Sequence, residues 1–224
     1  MRGNRVVEQD KPDLNFVVDF RFVGIEAELS VILEHRQSIE RRLPGIIESE
    51  RKRLEEDLKG AEPDEWYGSM QWIDEFADEV LPRLYRSPIL IQLWASFESG
   101  FIEVAKYIRD QEKPVLTLGD LRASNDFERA IKYYDHVLHF SLIEIAGVNE
   151  TLEMLLLVRN AIAHCNGRIE MIKPTILQKI RRWEDRGISV GVDYIGFTAD
   201  FVEAMAETVQ KALNDLIARV RDKY

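Results

Sequence analysis

The sequence predicts an all-α protein, an up-and-down helical bundle with a minor β-hairpin near residues 187–197. Apolar residues recur at steps of three and four along most of the chain, which is the period of a helix buried on one face. Only residues 188–197 break that period. There Ile188, Val190, Val192, Tyr194 and Phe197 alternate with small or polar residues beside Gly187, Gly191 and Gly196, as strands of a tight hairpin do. No internal repeat and no Gly-rich phosphate loop appears.

The elements follow in order. Residues 1–12 are polar and read as loose. From 14 to 43 Ile25, Leu29, Ile32 and Leu33 keep a helical period, although 16–23 also fits a short strand. Pro44 and Gly45 are expected to interrupt this helix. The stretch 46–58 then continues as a second one, almost wholly charged, of the kind that stands exposed and salt-bridged. Gly60 and Pro63 mark a turn. Trp66, Met70, Ile73, Phe76, Val80 and Leu84 place a helix over 64–86, and Pro88 begins another over 88–112. That one is apolar over a wide arc through Trp94, Phe97, Phe101 and Ile108, so it is predicted to be central. A loop over 113–123 precedes a helix capped by Ser124 or Asn125 and running to about Phe140. Asn149 and Glu150 open the next helix, and the pair Asn166–Gly167 ends it. A helix over about 173–185, the hairpin, and a last helix started by Thr198 complete the chain. Residues 1–60 read as an N-terminal helical extension, packed on or projecting from the body, and 61–224 as the main helical domain.

Composition narrows the function classes. At 224 residues, with 46% hydrophobic and 31% charged, the chain buries a sizeable core beneath a well-charged surface. No apolar run approaches the 18 or more residues a bilayer span needs, roughly the hydrocarbon thickness. No basic start leads into an apolar stretch, so the cytoplasm is the expected compartment and no membrane partner is expected. The single cysteine, Cys165, excludes an internal disulfide and a Cys-rich zinc site. It sits beside His164, yet adjacent helical residues point about 100° apart, so no thiol–imidazole nucleophile is formed. Thirty basic residues against forty acidic ones, net −10, exclude a generally basic nucleic-acid coat protein. A local basic site is still open: residues 168–186 hold six basic residues against three acidic ones. Arg168, Lys173, Arg181 and Arg182 are its candidate RNA contacts. A solvated helix face is the plain alternative. Trp183 among those arginines either stacks a base or packs inward.

Chemistry concentrates in one segment. Residues 155–167 read Leu-Leu-Leu-Val-Arg-Asn-Ala-Ile-Ala-His-Cys-Asn-Gly, so Arg159, Asn160 and His164 interrupt an apolar helix just before its end. Asn160 and His164 stand one turn apart on one face, whereas Arg159 and His164 diverge by about 140° around the axis. On the residues alone two readings stand: a phosphate-handling site, or a histidine complementing the helix dipole with an arginine paired to Glu153 or Glu98. His136 and His139 with Asp135 sketch a metal site, but no second ligand pair accompanies them, so no metal and no cofactor is expected.

The arrangement Arg159-Asn160-Ala161-Ile162-Ala163-His164 resembles the Arg-Asn-x-x-x-His signature of the HEPN superfamily. The 93–102 segment, with its Phe97–Glu98 pair, is similar to the central helix of bacterial HEPN families. The β element followed by Phe-Thr-Ala-Asp-Phe-Val, 197–202, is similar to their tail. The resemblance covers roughly 65–224. It implies a metal-independent endoribonuclease of toxin–antitoxin or antiviral type, acting on RNA as a homodimer whose two motifs line one cleft, with an antitoxin protein as a further partner. Within it Arg159, Asn160 and His164 are the catalytic residues and Glu98 is auxiliary. The residue types suit the role. An unperturbed imidazole titrates at about 6.5 and can move a proton at a ribose 2′-OH or 5′-oxygen, and a guanidinium can hold a phosphate in two-pronged fashion. One departure is clear. Some toxin members carry a tyrosine two residues after the histidine, where a partner enzyme attaches AMP; here Asn166 stands there, which puts that regulation in doubt. Two alternatives accompany the nuclease: a non-catalytic HEPN-like RNA- or protein-binding module, and a helical adaptor built around the charged 46–58 helix.

Overall fold

A computed structural model describes residues 20–140 and 149–224. The loose start, the first residues of the opening helix and Gly147 lie outside the described residues. The fold is an all-α bundle with a small antiparallel hairpin. Its elements are α1 (Phe20–Asp57), α2 (Pro63–Glu75), α3 (Leu81–Glu112), α4 (Asp126–His136), α5 (Asn149–Cys165), α6 (Pro174–Arg181), β1 (Ile188–Val190), β2 (Ile195–Phe197) and α7 (Ala199–Lys223).

α3 is the axis, because its apolar arc is wide enough to touch α1, α4, α5 and α7. Ile89, Leu90, Leu93, Trp94, Phe97, Phe101, Val104 and Ile108 are all buried. Each such side chain contributes roughly 1.5–3 kcal/mol by leaving water. Ion pairs report how the helices run. Arg21 meets Asp110 and Arg86 meets Glu40, so α1 is antiparallel to α3; Lys223 meets Glu112 at the far end, so α7 is parallel to it. Phe22, Ile25 and Leu29 of α1 belong to the same core as α3 and α7.

Four boundaries differ from the sequence expectation. Pro44 and Gly45 do not interrupt the first helix, which runs unbroken to Asp57. A proline inside a helix costs about 3 kcal/mol by removing a donor and crowding the preceding turn. Packing on both sides offsets it, with Leu43 buried and Ile46 and Ile47 half-buried, and with Glu40 held by Arg86. Nor does the chain break before Pro88. The discontinuity falls earlier, at a π-helical turn over Phe76–Val80, where the Leu81 N–H reaches back to the Phe76 carbonyl. That extra residue re-phases the helix so that Ile73, Ala77 and Leu81 all face inward. The third is α4, which stops at His136, short of Phe140. His139 takes a left-handed conformation, φ 48°, and Phe140 folds back over Tyr134 with centroids 6.1 Å apart.

The remaining ends follow their caps. Asn125 Oδ1 accepts from the Glu128 N–H, and Thr198 Oγ1 accepts from the Phe201 N–H. α6, the fourth difference, is shorter than 173–185, since Trp183 turns into the core with Arg186 4.5 Å over its ring. Covered in this way, Trp183 offers no face to a base. β1 and β2 pair with Ile188 opposite Phe197. Gly187, at φ 93°, sits against Thr198, where any β-carbon would collide. Among the described residues no helix is long and apolar enough to cross a membrane.

Candidate active site

The end of α5 is fixed from two sides. The inward stripe Leu152, Leu155, Val158 and Ala161–Ile162 is buried, which leaves Asn160, Ala163 and His164 on the outer stripe; Ala163 and His164 are exposed. Helix termination uses two successive left-handed residues, Asn166 at φ 50° and Gly167 at φ 70°, a conformation that asparagine and glycine adopt most readily. This turn is then tied down. Arg83 Nη1 of α3 donates to the Asn166 carbonyl at 3.0 Å. The Ile195 N–H of the hairpin donates to the Gly167 carbonyl at 3.0 Å. A β-carbon on Gly167 would press on the Ile195 side chain at 3.2 Å. His164 therefore stands on a rigid corner between α3 and the hairpin.

α3 and α5 run antiparallel here. Arg159 acts on Glu98, and further along α5 His164 shares a groove with Ser87 and Ile91, which lie earlier in α3. Arg159 Nη1 donates to Asn160 Oδ1 at 2.9 Å, which orients the amide. Its Nε is buried and finds no acceptor among the described residues. It forms no ion pair with Glu153 or Glu98. Burial raises the Glu98 carboxyl above the usual glutamate range, and the Arg159 charge and a hydrogen bond from Trp94 only partly oppose that. Glu98 thus feels Arg159 across the helix interface without closing on it.

His164 lines a groove of about 730 Å³ between the first half of α3 and the end of α5. Arg83, Arg168, Ser87, Gln92 and Asn166 line it too, with Leu84, Ile91 and Met171 as apolar walls, and among the described residues no carboxylate lines it. In a chain with forty acidic residues, that is a marked local departure from the net charge. Pro88 adds to the opening, because it has no N–H for the Leu84 carbonyl one turn back, and both residues line the groove.

The structure thus joins Arg159 to Asn160, and His164 to Arg168, in two adjoining places. Arg159 is not among the groove's lining residues. Lys173, Arg181 and Arg182 are exposed on and around α6 and do not line it either. Sequence reasoning missed Arg83 and Ser87. The available signal was their position: 83, 87, 90, 94 and 97 form one helical stripe, in which Leu90, Trp94 and Phe97 are core. Cys165 Sγ donates to the Met171 carbonyl at 3.4 Å. The metal sketch does not hold on one helix, since α4 ends at His136 and His139 lies beyond it. Among the described residues no three His, Cys, Asp or Glu side chains gather as a ligand set.

In comparisons with known proteins, the chain matches no family model, no curated protein and no solved structure.

Proposed function

We propose that the protein is a metal-independent endoribonuclease of HEPN type, active in the cytoplasm in toxin–antitoxin or antiviral defence, with an antitoxin protein as its neutralising partner. The observation that carries this reading is the groove at the end of α5, which sets an exposed His164 beside Arg83 and Arg168 with no carboxylate among its lining. Anionic substrate is drawn to such a place in an otherwise acidic protein.

In this mechanism His164 takes the proton from a ribose 2′-OH, whose oxygen attacks the adjacent phosphorus. The bond from phosphorus to the 5′-oxygen of the next nucleotide breaks, and that oxygen takes up a proton from the imidazolium. The products are a 2′,3′-cyclic phosphate and a 5′-OH. General acid–base help of this kind contributes about 10²–10⁴ in rate. Arg159, already tied to Asn160, stabilises the charge that develops on the phosphate oxygens.

The divergence of about 140° between Arg159 and His164 around α5 is awkward for one subunit acting alone. A two-fold axis beside α5 brings a second copy of each residue to the same phosphate, and two-fold pairing is the commonest oligomer symmetry. The active unit is accordingly a homodimer.

The test is incubation of purified protein with a mixed RNA pool in EDTA, alongside His164→Ala and Arg159→Ala. Cleavage by the wild type and its loss in both folded variants supports the reading. Equal cleavage by the variants contradicts it. RNA retention without cleavage by the wild type favours the alternative, a non-catalytic HEPN-like binding module.

A further inference from the structure

Residues 80–91 read Val-Leu-Pro-Arg-Leu-Tyr-Arg-Ser-Pro-Ile-Leu-Ile. Helical spacing puts Arg83 and Ser87 one turn apart on a stripe that otherwise feeds the core. Both are buried, Arg83 at 5% and Ser87 at 8% exposure. Among the described residues Arg83 Nε and Ser87 Oγ find no hydrogen-bond partner, and no carboxylate pairs with the Arg83 guanidinium. Its Cζ lies 4.0 Å from the Tyr194 ring centroid, and the Arg168 Cζ approaches the same ring at 5.8 Å. Burial pulls the Arg83 pKa down, and the neighbouring Arg168 pushes the same way.

A guanidinium taken out of water without an anion is costly unless something supplies the missing charge. Among the described residues nothing lining the groove does so: Glu75, Glu79 and Asp193 share a small pocket with Arg83 on its other side but none pairs with it, and Arg168 meets Glu170 loosely at 3.5 Å in solvent. Tyr194 covers one side of the Arg83 guanidinium, and the bond to the Asn166 carbonyl fixes its direction. The complement to two arginines and a hydroxyl is a tetrahedral oxyanion with several acceptors. The walls Leu84, Ile91 and Met171 and the amides of Gln92 and Asn166 suit the ribose and base on either side of it.

We infer that the groove between α3 and α5 is a phosphodiester-binding subsite, in which Arg83, Ser87 and Arg168 hold a backbone phosphate of RNA next to the one being cleaved. This rests on the ribonuclease reading for the identity of the chain bound. Its consequence is that substrate is positioned from α3 and the hairpin, outside the Arg-Asn-x-x-x-His segment.

The experiment measures binding of a 2′-O-methyl RNA oligonucleotide, which keeps its phosphates and cannot be cleaved. The full-length wild type is compared with Arg168→Gln and Ser87→Asp at matched ionic strength. Arg168 is exposed, so its variant folds. Ser87→Asp supplies the absent counter-charge from within and excludes an outside anion. Each variant is expected to bind about tenfold more weakly, the scale of one charge-assisted hydrogen bond. A second arm follows the melting temperature with inorganic phosphate against chloride; phosphate should stabilise the wild type and not Ser87→Asp. Equal oligonucleotide affinity in all three proteins overturns the proposal. Phosphate stabilisation without oligonucleotide binding also overturns it, by assigning the groove to a free anion. If oligonucleotide binding drops in the variants while no RNA is ever cut, the subsite stands and the nuclease reading fails. If RNA is cut with unchanged KM in both variants, the reverse holds.

Discussion

Arg83 and Arg86 lie within one turn of the same helix and are treated in opposite ways. Arg86 closes on Glu40 in two-pronged fashion, Nε and Nη2 each 2.9 Å from a carboxylate oxygen, and Nη1 donates to the Phe197 carbonyl at 2.8 Å. Arg83 is more buried and, among the described residues, meets one carbonyl and no carboxylate. The same contrast runs across the molecule. On the α1–α2 side Arg51 binds Asp74 and Asp78, and Arg53 binds Glu50. Arg36 and Arg129 each bury an Nε, yet each reaches an acid, Glu203 and Asp126. Arg83 and Arg159, on either side of the α3–α5 contact, do not. An arginine matched by a carboxylate is explained by the fold it holds together. One left without an anion in so acidic a chain is explained by something that arrives from outside.

If that distinction is sound, substitutions on the two sides will separate stability from activity. The largest effect is expected at His164→Ala: RNA cleavage should fall by about 10²–10⁴, the scale of lost general acid–base help, with a melting temperature within a few degrees of wild type because the side chain is exposed. Arg159→Ala should follow it in activity. On the paired side, Glu40→Ala should cost about 2–3 kcal/mol in urea unfolding, since it strands a largely buried guanidinium. Arg83→Met should change stability by no more than about 1 kcal/mol, because no ion pair is lost and the one bond to the Asn166 carbonyl is of that size. A large loss there would erase the contrast.

Glu98 sharpens it through pH. Its folded carboxyl titrates above the usual range because it is desolvated, so the folded state binds that proton more tightly than the unfolded chain does. Stability from this residue is therefore full below the ordinary glutamate pKa of about 4.3, and is lost as pH rises through the folded value. Glu98→Gln should be more stable than wild type at neutral pH, and the difference should vanish toward pH 4. The smallest effect belongs to the open pairs of the α1 end: Lys52→Ala, opposite Glu48 at 3.0 Å, should cost at most about 0.5 kcal/mol.

Much of the fold was legible because a helix repeats its pattern many times. The stripe Phe201, Met205, Val209, Leu213, Leu216 and Val220 of α7 is buried as its spacing predicts. So too the caps at Asn125 and Thr198 and the stop at Asn166–Gly167 are local chemistry, readable a few residues at a time. Helix continuity through Pro44 and Pro88 was not legible, since distant packing outweighs the local penalty there. Within the candidate site, His164 and Arg159 stand in one short segment and could be picked out together. Arg83, Ser87 and Tyr194 are separated from them by tens of residues, and only the antiparallel docking of α3 on α5 gathers them. That Arg159 and His164 point to different sides of α5 was readable from the helical angle. The lack of acids in the groove's described lining was not, because acids are abundant in the sequence on every side.

Analysis of the cleavage ends tests the central claim most directly. A ribo-oligonucleotide and its all-deoxy copy are incubated with the protein in EDTA and the products weighed by mass spectrometry. The account predicts fragments ending in a 2′,3′-cyclic phosphate and a 5′-OH from the RNA, and an intact DNA strand. Cleavage of the deoxy copy at a similar rate, or RNA fragments ending in a 5′-phosphate and a free 3′-OH, would contradict it.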